Sequence, residues 1–388
     1  MQHGSAHGSQ RGFGGGTVTS VMSYGPDEPR LWPPQPPAAP AGGTGTAVPL
    51  SVVMPVRNEE RNLEEAVSHI LRQDYPGEIE LIIAVGPSRD RTAEIANRLA
   101  AADPRILIVA NPSGHIPSAI NAAIKASRHP VVARVDGHAL IPPGYLRTAV
   151  QTLEETGAVN VGGIMAAQGV TPFQQAVAWA MTSPAGVGGA RFHTGGSQGP
   201  ADTVYLGVYR RSAIEQVGGY HEGYQVAEDW EMNHRIRQGG GLIWFQPALR
   251  VTYRPRASAG ALAVQYFRYG RWRRVVARQH AGTINLRYLA PPAAVSVMAA
   301  GTLAGIAGLA GLAAGAAGAW PALLTAGLVI PVLYGAGILA VTATAARQLS
   351  PRALIRLPLV VATMHVSWGT GFLTSPRSLV PGGAHRAR

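Results

Sequence analysis

From residue 50 onward, short apolar runs alternate with stretches whose apolar side chains recur every three or four positions. The runs at 50–55, 80–85, 106–109 and 131–135 are rich in Val and Ile and read as buried strands. Between them, Leu63, Ala66, Val67 and Ile70 share one helical face, an alanine-rich helix extends to Ala101, and 117–127 forms a short amphipathic helix. This alternation predicts an α/β fold, a mostly parallel central sheet covered by helices on both faces. A helix follows over 143–156, with Gly157 placed to end it. Residues 161–200 are glycine-rich and give no assignment beyond a loop at 188–196. Strand-like runs at 203–209, 242–245 and 249–253, and helices at 211–217 and 228–237, complete the first part of the chain.

Beyond residue 256 the pattern changes. Residues 262–279 place Phe267, Trp272, Val275 and Val276 among Arg268, Arg271, Arg273, Arg274 and Arg278, a composition suited to a helix in a membrane interface. Residues 288–346 carry no charge and are long enough for two spans of roughly 20 residues each. Trp320-Pro321 is the natural turn between them. A third apolar stretch at 357–373 is at the lower limit of a span. By the positive-inside rule, the Arg-rich flank before the first span and the loop with Arg347, Arg352 and Arg356 lie on the cytoplasmic side, together with the α/β domain. The expected organisation is a disordered Gly/Pro-rich segment at 1–48, an α/β domain at 49–256, an interfacial segment at 257–287, a transmembrane region at 288–374 and a basic tail at 375–388.

The formal charge is +12, and Lys125 is the one basic residue that is not Arg. No Asp or Glu follows Glu231, so the excess charge fringes apolar segments, which fits a membrane surface and not nucleic acid. With no Cys, disulfides and thiolate metal sites are excluded.

The candidate chemistry centres on Val-Val-Ala-Arg-Val-Asp-Gly-His at 131–138. Asp136 and His138 are potential metal ligands at the carboxyl end of a strand, where open α/β sheets bind ligands. Around this corner the chain shows Met54-Pro55-Val56-Arg57-Asn58-Glu59, Ser88-x-Asp90-x-Thr92, Asn111-x-x-Gly114 with Ala119-x-Asn121, Gly218-Gly219-Tyr220, Glu228-Asp229 and Gln265-x-x-Arg268-Tyr269. In that order the motifs resemble membrane-associated family 2 glycosyltransferases with a GT-A fold, above all the succinoglycan-type exopolysaccharide glucosyltransferases. The resemblance runs from residue 51 to about 278 and on into the trailing spans.

The resemblance implies a nucleotide-sugar donor, with UDP as the default, and a divalent cation, Mn²⁺ or Mg²⁺. Pro55, Asn58, Glu59, Asp90 and Asn121 would lie on the nucleotide side. Asp136 and His138 would hold the diphosphate through the cation. Asp229 would be the base that deprotonates the acceptor hydroxyl. Glu228, Gln265, Arg268 and Tyr269 would face the acceptor, expected to be a lipid-linked, polyprenyl-type glycan at the membrane. Sequence adjacency leaves open whether Glu228 or Glu231 shares the role of Asp229. Arg191 and His193 are further candidates for phosphate contacts, and His365 with Trp368 is unusual in an apolar segment. Two departures from the family pattern matter. Val85-Gly86 stands where acidic residues commonly meet the nucleobase, and His138 replaces a carboxylate, which favours Mn²⁺ over Mg²⁺. The expected activity is inverting hexosyl transfer; a processive synthase and a catalytically silent nucleotide-sugar binder are the alternatives.

Overall fold

The structure, a computed structural model, describes residues 47–381. Most of the N-terminal segment and the end of the basic tail lie outside these residues. The first half alternates as expected: β1 (Leu50–Val56), α1 (Leu63–Leu71), β2 (Ile79–Val85), α2 (Thr92–Ala102), β3 (Ile106–Ala110), α3 (Ile116–Ala126), β4 (Val131–Arg134) and α4 (Tyr145–Thr156). β5 (Asn160–Ala167), α5 (Pro172–Thr182), α6 (Pro184–Val187), α7 (Arg191–Thr194), β6 (Gly199–Pro200), β7 (Tyr205–Arg210), α8 (Arg211–Gln216), α9 (Glu228–Gln238) and β8 (Ile243–Tyr253) follow. The strands form one eight-stranded sheet in the order β3-β2-β1-β4-β7-β5-β8-β6. β3, β2, β1 and β4 are mutually parallel, as are β5 and β8, whereas β7 runs antiparallel to both β4 and β5.

The sheet is covered on both faces, which is why its strands are apolar throughout. Leu63 and Ile70 of α1, Ile95 of α2, and Leu146 and Leu153 of α4 bury against one face. Ile120 and Ile124 of α3, Ile214 of α8, and Met232 and Ile236 of α9 bury against the other. The glycine-rich stretch left unassigned contains a central strand, β5, and the two runs expected as separate last strands are one strand, β8, whose pairing with β5 shifts register between Gly162 and Ile164.

The C-terminal part comprises α10 (Ala259–Gln279), α11 (Leu286–Ala313), α12 (Trp320–Thr325), α13 (Val329–Thr344), α14 (Pro351–Leu354) and α15 (Leu357–Leu373). Two segments, Leu286–Ala313 and Trp320–Thr344, are long and apolar enough to cross a membrane, and only 17% and 6% of their most apolar windows are buried within the protein.

The third apolar stretch behaves differently. α15 packs against α5, α10 and α11, burying Val360, Val361 and Met364 beside Ala176, Val177 and Leu262. Its contact with α10 is close enough to require glycine on both sides. A Cβ on Gly270 would sit 2.0 Å from the Trp368 carbonyl oxygen, and one on Gly371 2.1 Å from that of Phe267. The arginines of α10 serve this packing. Arg274 donates to the Phe372 and Leu373 carbonyls and Arg278 to those of Ser375 and Pro376, satisfying the end of α15. Arg273 lies over the rings of Trp230 and Tyr288. These three guanidiniums, expected at lipid phosphates, are thus committed to protein partners.

Candidate active site

The site lies at the carboxyl ends of β1, β2 and β4, where the parallel half of the sheet aims its strands at one crevice. After β1 the chain turns through Asn58 in a left-handed conformation (φ 58°). The Asn58 side-chain oxygen accepts from the Arg89 N–H at 2.8 Å, and its backbone N–H donates to Ser88 Oγ at 3.1 Å. Asp90 accepts from the Glu60 N–H and from both the N–H and hydroxyl of Thr92. The Glu59 N–H donates to Thr92 Oγ1 at 2.7 Å. Asn58 and Asp90 therefore lock the loops after β1 and β2 into one wall, with Pro55 just inside β1.

Gly137 lets the corner after β4 pass against this wall. A Cβ there would be 2.9 Å from Val56 Cγ1 and 3.2 Å from Glu59 Cγ. The approach brings His138 Nδ1 to 2.7 Å from Glu59 Oε1, while Glu59 Oε2 accepts from Asn62. The hydrogen bond to the Glu59 carboxylate raises the His138 pKa against the opposing effect of burial.

The feature that organises the site is Arg134, whose side chain is only 5% exposed. Its Nε lies 2.8 Å from Asp136 Oδ1, and its Nη1 lies 2.5 Å from Asp229 Oδ1 and 3.3 Å from Glu228 Oε1. Its Nη2 adds a longer contact of 3.4 Å to Asp136 Oδ2. One buried cation thus faces three carboxylates. Burial works against its charge, but the three anions hold its pKa well above the ordinary value. Burial also pushes Asp136 up, and Arg134 outweighs it, so Asp136 stays below the usual carboxylate range. Burial and then the neighbouring Asp229 push Glu228 up to about 7. Asp229 is raised by burial, with Arg134 pulling the other way.

Asp229 and Glu228 occupy the first turn of α9, entered through Ala227 in a left-handed conformation (φ 65°). Glu231 points elsewhere: it is buried with Arg235 and lies 3.3 Å from His280, so it does not share the site. The buried Tyr220 hydroxyl donates to that of Tyr209 at 3.4 Å and lies within electrostatic reach of Asp229. Asn121 fixes Tyr220 in turn, accepting from its N–H at 2.9 Å and donating to its carbonyl at 2.8 Å. Asn121, expected on the nucleotide side, is therefore spent on holding the Gly218-Gly219-Tyr220 turn.

On the remaining side, Gln265 donates to the hydroxyls of Tyr253 and Tyr269, each at 2.9 Å. Arg268 is exposed and has no partner among the described residues. Tyr205, half-buried, lies within electrostatic reach of Asp136, Tyr253 and Tyr269. Arg191 does not reach toward a phosphate: it donates to the Pro200 and Ser197 carbonyls and lies over the Phe245 ring. His193 is half-buried near Arg287. His365 bridges helices, with Nε2 2.7 Å from the Ala185 carbonyl and Nδ1 3.2 Å from the Tyr334 hydroxyl.

The residue missed by reasoning from sequence is Arg134. Its signal was present: a charge inside an apolar strand must find partners of opposite sign, and Asp136 at the end of the same strand and the Glu228-Asp229 pair opening a helix were among the candidates.

The donor set at the corner fits a divalent cation completed by substrate. With Nδ1 held by Glu59, the His138 Nε2 has no partner among the described residues, the arrangement in which a carboxylate orients a metal-binding imidazole. Asp136 supplies one carboxylate. Among the described residues no group of three or more His, Cys, Asp or Glu could hold a metal by itself. Diphosphate oxygens and water would complete the shell.

Comparison with known proteins agrees with this geometry. Residues 51–218 match the profile of glycosyl transferase family 2. The chain is 31% identical over 323 residues to the succinoglycan biosynthesis protein ExoA of Rhizobium meliloti, covering 83% of this chain and 93% of that one. It is 24% identical over 251 residues to a Methanococcus voltae enzyme named as a dolichyl N-acetyl-alpha-D-glucosaminyl phosphate 3-beta-D-2,3-diacetamido-2,3-dideoxy-beta-D-glucuronosyltransferase, covering 62% of this chain and 77% of the relative. Among solved structures, the mannosyltransferase PcManGT from Pyrobaculum calidifontis, in complex with GDP-Man and Mn²⁺, shares the fold with a TM-score of 0.50 at 17% identity, over 84% of this chain and 86% of its own. A match to ExoA along nearly its whole length, on a GT-A-like sheet with Asp136 and Asp229 brought to one guanidinium, places this chain in glycosyltransferase family 2.

Proposed function

We propose that the protein moves a hexose from a nucleotide sugar to a hydroxyl of a membrane-associated, polyprenyl-linked glycan, with inversion at the anomeric carbon. The observation that carries this reading is the single guanidinium of Arg134 gripping Asp136 on one side and Asp229 on the other. A donor-side carboxylate and a base candidate are thereby held within one residue's reach.

In this reading Asp229 accepts the proton of the acceptor hydroxyl as its oxygen attacks the anomeric carbon. The bond from that carbon to the diphosphate oxygen breaks in the same displacement, and its electron pair leaves with the nucleoside diphosphate. Attack on the face opposite the leaving group inverts the centre. A divalent cation held by Asp136 and His138 would supply charge compensation for the departing diphosphate. Glu59 keeps the His138 ring oriented, while Asn58 and Asp90 keep the nucleotide-side wall rigid. Glu228 stays beside the base, and Gln265, Tyr269 and Arg268 line the acceptor side.

The names of the relatives support the substrate class: one belongs to succinoglycan biosynthesis and another acts on a dolichyl phosphate-linked sugar. The two exposed apolar helices would carry the enzyme in the membrane, with the arginine-fringed ends and the catalytic domain on the cytoplasmic side. The test starts with thermal shift of the purified protein against a panel of nucleotide sugars, with and without Mn²⁺, because ligand binding to the folded state raises the melting temperature. The donor found is then incubated, radiolabelled, with membranes. Label in a lipid-extractable product extended by one sugar supports the reading. No stabilisation by any nucleotide sugar, together with no transfer, overturns it, and long polymer in place of a single addition makes the enzyme a processive synthase.

A further inference from the structure

We infer that Arg134 is a positioning residue for transfer: its guanidinium holds Asp229 in place as the base, apart from its neighbour Glu228, and ties it to the Asp136 corner. The role rests on the glycosyltransferase reading above and adds to it a residue that the family motifs do not name. The geometry divides the planar fork. Nε, with the longer Nη2 contact, faces Asp136 at 2.8 Å, and Nη1 faces the first turn of α9. Nη1 is shared unequally, 2.5 Å from Asp229 and 3.3 Å from Glu228. The unequal sharing distinguishes two adjacent carboxyls that sequence alone leaves equivalent. Asp229 receives the short charge-assisted bond, whereas Glu228 is left with the longer contact.

The rest of the environment leaves Arg134 as the sole cation in contact with these carboxylates. Tyr220 and Tyr209, both buried, face Asp229 and Arg134 from the turn before α9 and from β7, and Asp136 faces them from the end of β4. A lysine cannot replace this arrangement. An ammonium is a point charge on a flexible stem and cannot present a rigid fork to two elements at once. Arg134 sits on the central strand β4, paired on both sides, so its backbone is fixed by the sheet. The α9 turn is the partner that depends on such contacts, because Ala227 enters it through an unfavourable left-handed conformation that they must hold.

The experiment uses the full-length protein in detergent with the donor found in the panel. In Arg134→Lys, kcat should fall about 10- to 100-fold while the donor KM stays within about threefold, as expected when a reacting group is misplaced and substrate binding is kept. Arg134→Gln leaves three partly buried carboxylates without their cation and should lose more. Adding Glu228→Gln to Arg134→Gln should restore part of that loss, because it removes one of the repelling charges. A merely structural arginine gives no such rescue.

Hydrogen–deuterium exchange of the peptide spanning residues 226–232 supplies a readout that needs no activity, and it should speed up in both Arg134 variants. An unchanged kcat in Arg134→Lys, a loss confined to KM, or a double variant as weak as the product of the single effects overturns the proposal. If the wild-type protein transfers no sugar, the glycosyltransferase reading fails separately, and exchange at 226–232 decides the positioning role: faster exchange in the variants supports it and unchanged exchange refutes it.

Discussion

Asp229→Asn keeps the shape of the side chain and its bond from Arg134 but removes the proton acceptor. A general base contributes about 10²- to 10⁴-fold, or about 3–5 kcal/mol at about 1.4 kcal/mol per decade. The loss should have a floor, and the structure identifies it. Glu228 lies 3.3 Å from the same Arg134 nitrogen and is lifted to about 7, first by burial and then by the charge of Asp229. Removing that charge lets Glu228 ionise at lower pH, so the variant keeps a residual rate that vanishes in Asp229→Asn/Glu228→Gln. Glu228→Gln alone works in the opposite sense on Asp229. It takes a negative charge from beside the base, favours the ionised base, and should move the acid limb of kcat to lower pH. Initial rates at saturating donor, taken from about pH 5.5 to about pH 9 in all four proteins, read these effects directly. If Glu228→Gln costs more than Asp229→Asn, or Asp229→Asn costs less than tenfold, Asp229 is not the base.

Three other outcomes follow from the same geometry. Glu59→Ala frees the His138 ring, and Mn²⁺ affinity measured by electron paramagnetic resonance should weaken about 10- to 100-fold while the protein stays folded. His138→Asp exchanges imidazole for a hard oxygen ligand, so the ratio of activity with Mg²⁺ to activity with Mn²⁺ should rise; an unchanged ratio removes His138 from the cation site. Gly270→Val puts methyl groups against the Trp368 carbonyl, where backbone cannot move aside, and should cost about 1–3 kcal/mol, seen as a lower melting temperature.

Much of this was legible in the sequence. The alternation of buried strands and one-sided helices through residue 157 depends on local periodicity, and each element formed where that pattern put it. β5 was not legible. Gly162 and Gly163 interrupt its apolar run, and what makes it a strand is its position between β7 and β8, a long-range fact that no local window contains. The ends of the site were readable as motifs, because Asp136, His138 and Asp229 are chemical types at strand and helix ends. Their connection through Arg134 was not, since it depends on α9 crossing the end of β4 some 95 positions later in the chain. The α10 arginines were misjudged for a related reason. Composition alone does not distinguish a guanidinium seeking phosphate from one seeking the unpaired carbonyls of a neighbouring helix end.

The placement of α15 reaches beyond packing. Because it is wedged between the catalytic half and the two exposed apolar helices, trimming the chain before residue 287 to obtain a water-soluble enzyme would strip α10 and α5 of their shared neighbour and uncover Leu262, Ala176 and Val177. The last helix is a buttress: it ties the catalytic half to the two helices long and apolar enough to cross a membrane.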